Sequence, residues 1–236
     1  MSTLYMVATP IGNLDDITLR ALKILESVSV VACEDTRHTG QLLAHYNIKK
    51  RCIACHAHNE SESAKGIIAL MDSGQDVAYC SDAGTPGISD PGARLAEAVR
   101  QSGHTVVPVP GASAFVTLLS AAGNVGKAFT FEGFLSPKKG RRTRRLEELV
   151  SRGESFIIYE SPFRILKTLE DVRGTDPSCH VVVGRELTKQ FEEIFSADIS
   201  SAIEILGSKP SIKGEFAVVV IPSGGACDNA EEDQDS

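Results

Sequence analysis

Tryptophan is absent from this 236-residue chain, methionine occurs three times and aromatic residues make up only 6%. So thin an aromatic supply leaves little to line a large flat-ring cavity. No run approaches the roughly 18 apolar residues that a membrane span needs. Residues 1–15 lack the basic start and apolar centre of a secretory signal, so a cytoplasmic chain is expected. The first apolar run ends in Val7-Ala8-Thr9-Pro10-Ile11-Gly12-Asn13-Leu14, which lacks the G-x-G-x-x-G of a dinucleotide fold. Gly126-Lys127 also fails as a phosphate loop, because Ala121 stands at the first glycine position and Ala128 where Ser or Thr is needed. Neither hydride transfer nor nucleotide hydrolysis is supported.

Metal and disulfide chemistry are also poorly provided for. Of the six cysteines, Cys33, Cys80 and Cys179 sit in apolar runs, which reads as small buried side chains in a reducing compartment. Cys52-Ile53-Ala54-Cys55-His56 matches a haem-attachment string, and His58 adds a zinc reading. In a strand, however, positions three apart face opposite sides, so Cys52 and Cys55 do not share a metal unless the chain turns there. No metal is expected.

What is present is an ordinary soluble composition, 42% hydrophobic and 23% charged, with a net charge of −7 unevenly spread. Asp228, Glu231, Glu232, Asp233 and Asp235 crowd the last residues, and without them the balance is 24 basic to 26 acidic groups. This tail, residues 223–236, is expected to be disordered. Ser136 to Arg145 (SPKKGRRTRR) instead holds six basic residues and no acid. Such a run is a concentrated positive patch.

Short β-branched runs alternate with helix-period segments from the start, the pattern of βαβ units and a mainly parallel sheet. Candidate strands are Leu4–Ala8, Val28–Cys33, Arg51–Cys55, Val77–Cys80 and Thr105–Val109, with helices between them and a closing helix over Ser113–Ala122. Beyond residue 120 the spacing changes. Strands over Ala128–Leu135, Ser155–Tyr159, Cys179–Arg185, Phe191–Ala197 and Glu215–Ile221 include two separated only by Glu186–Gln190, a hairpin, so this sheet is expected to be mixed. The reading is two α/β domains, 1–120 and 121–222. Between the fourth strand and its helix lies Ser81-Asp82-Ala83-Gly84-Thr85-Pro86-Gly87-Ile88-Ser89-Asp90-Pro91-Gly92. Glycines let backbone approach a ligand and prolines remove freedom that binding would otherwise freeze. Its place at the carboxyl end of a strand is where open α/β sheets bind ligands.

This loop is one of a series in fixed order: VATPIGNLDDITLRA, Cys33-Glu34-Asp35-Thr36-Arg37, His58-Asn59-Glu60, SDAGTPGISDPG, Pro110-Gly111-Ala112-Ser113-Ala114, Gly133-Phe134-Leu135, Tyr159-Glu160-Ser161-Pro162-Phe163-Arg164, Arg185-Glu186-Leu187-Thr188-Lys189 and Gly214-Glu215-Phe216. Together they resemble the ribosomal RNA small subunit methyltransferase I branch of the tetrapyrrole methylase superfamily, over residues 3 to 222. The resemblance implies a homodimer of two-domain subunits of the class III methyltransferase type, with S-adenosylmethionine (SAM) in the interdomain cleft. The implied product is a 2′-O-methylated cytidine in 16S rRNA near the decoding centre. Pro10, Ile11, Gly84, Thr85, Ile88, Ser113 and Ala114 match the superfamily's cofactor-contacting segments, and Glu160, Gly214 and Glu215 match contacts in the second half. Where tetrapyrrole-modifying members carry Gly-Asp-Pro, this chain reads Gly84-Thr85-Pro86, which weakens a porphyrin-like substrate.

A ribose hydroxyl is a weak nucleophile until it loses its proton, so a base is wanted. Glu34, Asp35, His58 and Glu60 follow the second and third strands and are the candidates; the carboxylates could equally cap a helix or pair with Arg37. Lys138, Lys139, Arg141, Arg142, Arg144 and Arg145, extended by Arg164, supply the phosphate-binding charge for RNA. Arg164 could equally pair with Glu160. Two other readings stay open: a tetrapyrrole C-methyltransferase, and a noncatalytic RNA-binding module that keeps the cofactor cleft.

Overall fold

The computed structural model describes residues 1–56 and 60–224, Glu60 and Ser61 by backbone alone. His58, the side chain of Glu60 and the acidic residues of the tail lie outside the described residues. The chain divides into two compact units, Met1–Ser113 and Ala114–Ser236.

The first unit alternates strand and helix: β1 (Thr3–Val7), α1 (Leu19–Ser27), β2 (Val30–Cys33), α2 (Thr36–His45), β3 (Arg51–Ala54), α3 (Glu60–Asp72), β4 (Val77–Cys80), α4 (Ala93–Gln101) and β5 (Thr105–Val109). Its sheet runs β3-β2-β4-β1-β5 and every pairing is parallel. The sequences dictate these places. Val30-Val31-Ala32-Cys33 and Val77-Ala78-Tyr79-Cys80 are apolar at every position and lie inside the sheet, buried throughout. Pro108 donates no ladder hydrogen bond and sits in β5, an edge strand. Alternate residues then feed two cores on opposite faces: Val31, Cys33, Ala78 and Cys80 in one, Ala32, Val77 and Tyr79 in the other. Helices start where short polar side chains can take the first free N–H groups. Thr18 accepts from Ala21 and Asp35 from Arg37.

The second unit comprises α5 (Ala114–Ala121), β6 (Phe129–Phe134), α6 (Lys139–Ser151), β7 (Ser155–Glu160), α7 (Ile165–Thr175), β8 (His180–Arg185), β9 (Glu193–Asp198), α8 (Ile199–Gly207) and β10 (Phe216–Ile221). Its sheet is mixed, in the order β6-β7-β10-β8-β9. β6 and β7 are parallel, β10 runs against both β7 and β8, and β8–β9 form the expected hairpin. Helix α5, grouped with the first half by its place in the sequence, packs on β10. Its buried Leu118 fills the space over Gly184, where an added Cβ would lie 2.8 Å from Leu118 Cδ1. Among the described residues no helix is long and apolar enough to cross a membrane.

Candidate functional site

Parallel pairing puts the carboxyl ends of β1, β2, β3, β4 and β5 on one edge of the first sheet, and among the described residues the loops singled out after β1, β2, β4 and β5 emerge there. Thr9 and Gly84 form an isolated antiparallel bridge, with Thr9 N–H donating to Gly84 O at 2.9 Å and Gly84 N–H to Thr9 O at 3.0 Å. Thr85 Oγ1 donates to Ala112 O at 3.1 Å, tying the glycine loop to the segment after β5. Three loops therefore converge on Gly84. Its φ of 81° lies in the left-handed region, and an added Cβ would stand 3.3 Å from Ile11 Cγ2 and 3.6 Å from Ala112 O. At Gly111 an added Cβ would come within 2.9 Å of Ala8 Cβ. The sequence has glycine where loops meet without room for a side chain. Pro10 is buried behind this junction, Ile11, Thr85 and Ser113 are half-buried, and Ile88 is exposed. Ser113 and Ala114 lie at the division between the units, Ala114 opening α5.

The acids after β2 separate in role. Asp35 caps α2 by accepting from Arg37 N–H at 2.8 Å and pairs with the Arg37 guanidinium at 2.8 Å. Those contacts, the Arg37 side chain first, hold its carboxyl below the usual range, so it is a poor proton acceptor. Glu34 behaves oppositely. Burial, and then the nearby charge of Asp82, push its carboxyl above the usual range, with a partial offset from His56. Asp82 belongs to the glycine loop and also accepts from Asp35 N–H at 3.0 Å. It joins two of the predicted segments, a role its sequence position alone does not disclose.

Burial pushes the Cys33 thiol at this edge up to about 11 and the Cys80 thiol also upward, and in the second unit it pushes Cys179 up to about 12, which favours the protonated thiol at neutral pH. Among the described residues no three His, Cys, Asp or Glu side chains form a group able to hold a metal ion.

In the second unit the ends of β6, β7 and β8 and the start of β10 share one edge, by the strand directions above. Glu160, matched in the sequence to a cofactor contact, is only 2% exposed. Its carboxylate accepts from Ser161 N–H and Thr168 Oγ1, both at 2.8 Å, and pairs with Arg164 Nη2 at 3.1 Å. Glu160 thus braces its own loop from within. Gly214, with φ 92°, has no room for a Cβ against the Glu186 side chain. Lys189 Nζ donates to Glu186 at 2.8 Å and to Glu215 at 2.7 Å. Burial works against the Glu186 carboxylate, but Lys189 and the Glu215 N–H outweigh it and hold its pKa low. Glu186 and Thr188 both adopt positive φ, 51° and 64°, so this turn stores strain that the ion pairs hold in place. Sequence reading missed Glu186 and Lys189 as partners of Gly214-Glu215, although all four lie in the motifs quoted for the resemblance.

The basic run divides between surface and interior. Lys138, Lys139, Arg141 and Arg144 are exposed at the start of α6. Arg142 is not part of that surface. It is 2% exposed, donates from Nε to Asp171 Oδ2 at 2.6 Å and from Nη1 to Ser136 O and Pro137 O, both at 3.1 Å. It anchors the strip to α7. Arg145 is held by Glu132 at 2.7 Å and Glu148 at 2.9 Å, and Arg164 donates to Leu135 O at 2.9 Å besides pairing with Glu160. Replacing Arg142 by Ala leaves Asp171 largely enclosed without its cation. Urea denaturation should show a loss of about 3 kcal/mol, the low end for a broken buried pair because Asp171 keeps some water contact. A loss below ~1 kcal/mol, the value of a surface pair, would refute that role.

The family profile described as Tetrapyrrole (Corrin/Porphyrin) Methylases matches residues 3–203. The chain is 48% identical over 219 residues to the ribosomal RNA small subunit methyltransferase I of Pasteurella multocida (strain Pm70), covering 92% of this chain and 78% of that protein. The protein of the same name from Borrelia garinii subsp. bavariensis is 42% identical over 221 residues, 92% of this chain and 97% of that one. Among solved structures, the uroporphyrin-III-C-methyltransferase from Thermus thermophilus superposes with a TM-score of 0.63 at 20% identity, over 93% of this chain and 94% of that one. That last likeness speaks to the fold, which is the pair of α/β units, one parallel and one mixed, described above. The profile match and the identities settle membership: the chain belongs to the tetrapyrrole methylase family, alongside relatives called ribosomal RNA small subunit methyltransferase I.

Proposed function

We propose that this protein is a SAM-dependent methyltransferase that methylates the ribose 2′-oxygen of a cytidine in 16S rRNA near the decoding centre, acting as a homodimer. The observation that carries the reading is the likeness, at 42–48% identity over 92% of the chain, to proteins named for methylating the small-subunit RNA. The exposed Lys138, Lys139, Arg141 and Arg144 support it, because a tetrapyrrole substrate calls for no such strip.

The first unit's loops fit the cofactor. Gly84 and Gly111 bring backbone together without intervening side chains, and the Thr9–Gly84 bridge and the Thr85–Ala112 hydrogen bond tie the three loops to one another. Pro10, Ile11, Gly84, Thr85, Ile88 and Ser113 are the residues of the first unit proposed to line the cofactor; Ala114, Glu160, Gly214 and Glu215, which the sequence matches to the same cofactor, belong to the second unit. When bound, SAM supplies a methyl group on a positively charged sulfur. The chain's own work is to align the ribose oxygen behind that methyl, exclude water and take up the hydroxyl proton. Of the four acids and bases singled out in the sequence, Glu34 is the one proposed to receive that proton.

Incubation with labelled SAM and either small ribosomal subunits, free 16S rRNA or uroporphyrinogen tests the assignment. A methyl on the 2′-oxygen blocks attack on the neighbouring phosphate, so a labelled alkali-resistant dinucleotide is the expected product. Label in the porphyrin would favour the tetrapyrrole reading, and label nowhere a noncatalytic module.

The strip has its own test. Arg141→Glu combined with Arg144→Glu should weaken RNA binding and flatten its dependence on salt by about two phosphate contacts, with SAM affinity unchanged by calorimetry. Unchanged RNA affinity in the double variant would remove the strip from the RNA-binding surface.

A further inference from the structure

Two phenylalanines stand in water beside the basic strip, at the edge of the second sheet where β6 and β7 end. Phe163 is 94% exposed and Phe134 is 59% exposed. Neither is left out by a loose loop. The Phe163 turn is closed by Arg164 N–H to Ser161 O at 3.1 Å and Ile165 N–H to Ser161 O at 3.0 Å, follows Pro162, and is held from below by the buried Glu160. Phe134 crowns a ladder of rings: its centroid lies 5.8 Å from that of Tyr159, which lies 5.1 Å from Phe131, itself stacked on Phe115 at 4.5 Å. The hydrogen bond from Arg164 Nη2 to Leu135 O at 2.9 Å joins the two loops, and each phenylalanine is the sequence neighbour of one end of that bond. Lys138 and Lys139 follow three and four residues after Leu135, and Arg142, through Ser136 O and Pro137 O, fixes the segment between.

Exposed rings on hydrogen-bonded loops, beside a cluster of exposed cations, match the chemistry of single-stranded RNA, which offers a flat apolar base face next to a phosphate. We propose that Phe163, assisted by Phe134, is a stacking platform for an unpaired base of the RNA substrate, the phosphates on either side being received by Lys138, Lys139, Arg141 and Arg144. The inference rests on the RNA methyltransferase reading and adds to it how unpaired nucleotides are gripped. Charge selects this occupant over a second copy of the chain, since two such copies would bring the same cations together.

The chain contains no tryptophan, so Phe163→Trp installs a single indole reporter at the platform. Titrated with a short unpaired oligocytidylate, this variant should bind at least as tightly as the wild type, with its fluorescence quenched to saturation. Phe163→Ala should bind roughly tenfold more weakly, the loss of one base–aromatic stack, with an unchanged salt slope because no phosphate contact is removed. SAM affinity by calorimetry should match the wild type in both. An unquenched indole, or wild-type affinity in Phe163→Ala while methyl transfer to rRNA proceeds, would overturn the platform alone. A change of oligomeric state in Phe163→Ala by sedimentation would also overturn it, in favour of a second copy at this face. A wild-type protein that neither binds RNA nor methylates it would bring down the platform and the RNA reading together.

Discussion

Gly84→Val should abolish methyl transfer while leaving the protein folded. Gly84 sits at the meeting point of the loops after β1, β4 and β5, with its φ at 81° and both backbone groups paired to Thr9. Valine is disfavoured there twice. A β-branched residue in the left-handed region costs about 1–2 kcal/mol, and its methyl groups extend past a Cβ already 3.3 Å from Ile11 Cγ2, where overpacking adds roughly 1–3 kcal/mol. The loop relieves both only by leaving the conformation proposed to receive SAM. Calorimetry should show SAM affinity reduced by about a hundredfold, as a few kcal/mol implies. Circular dichroism should be unchanged, and RNA binding should persist, because the basic strip belongs to the other unit. Gly40→Ala, where an added Cβ meets nothing within 4 Å, is the matched control and should bind SAM normally. SAM binding within a few-fold of wild type in Gly84→Val would remove the glycine junction from the cofactor site.

The parts of this arrangement that were legible in the sequence are those governed by local chemistry. Period-3.6 patterning located the helices, and short wholly apolar runs such as Val30-Val31-Ala32-Cys33 located the central strands, because a strand covered on both faces is apolar at every position. The glycine loop was legible because few residues other than glycine tolerate such backbone. What escaped depends on partners distant in sequence. Arg142 reads as one of six equivalent cations, yet its acceptor Asp171 lies 29 residues away on α7. One signal was available: Arg142, Leu146 and Leu149 occupy the inward stripe of α6, so the helix period already separated Arg142 from its exposed neighbours. Glu160 gave no such sign. Its enclosure arises from Thr168 on the next helix and from its own loop, partners that the motif around Glu160 does not announce. The place of α5 in the second unit likewise follows from Leu118 filling the space over Gly184, a contact across 66 residues.

The acids after β2 illustrate how adjacent residues of like chemistry part company, and they carry the remaining prediction. Asp35 is committed to the α2 N-terminus and to Arg37, and its depressed pKa makes it a weak base. Glu34 lies on the edge that bears the glycine loop, and its carboxyl binds a proton more tightly than usual because of burial and the charge of Asp82. A base must be deprotonated to act, yet its strength grows with its pKa, so a carboxyl raised above the ordinary carboxylate range suits the proposed removal of a ribose proton. Glu34→Gln should therefore lower kcat by about 10²–10⁴-fold, the range for a lost general base, with SAM affinity unchanged. In the wild type, transfer should rise with pH as Glu34 loses its proton above the ordinary carboxylate range, and then level off. Asp82→Asn removes the neighbouring negative charge, so it should move that rise to lower pH, whereas Asp35→Asn should leave its position unchanged apart from lost helix-capping stability. A wild-type rate in Glu34→Gln, or a pH profile indifferent to Asp82→Asn, would show that Glu34 does not hold the proton in the transfer step.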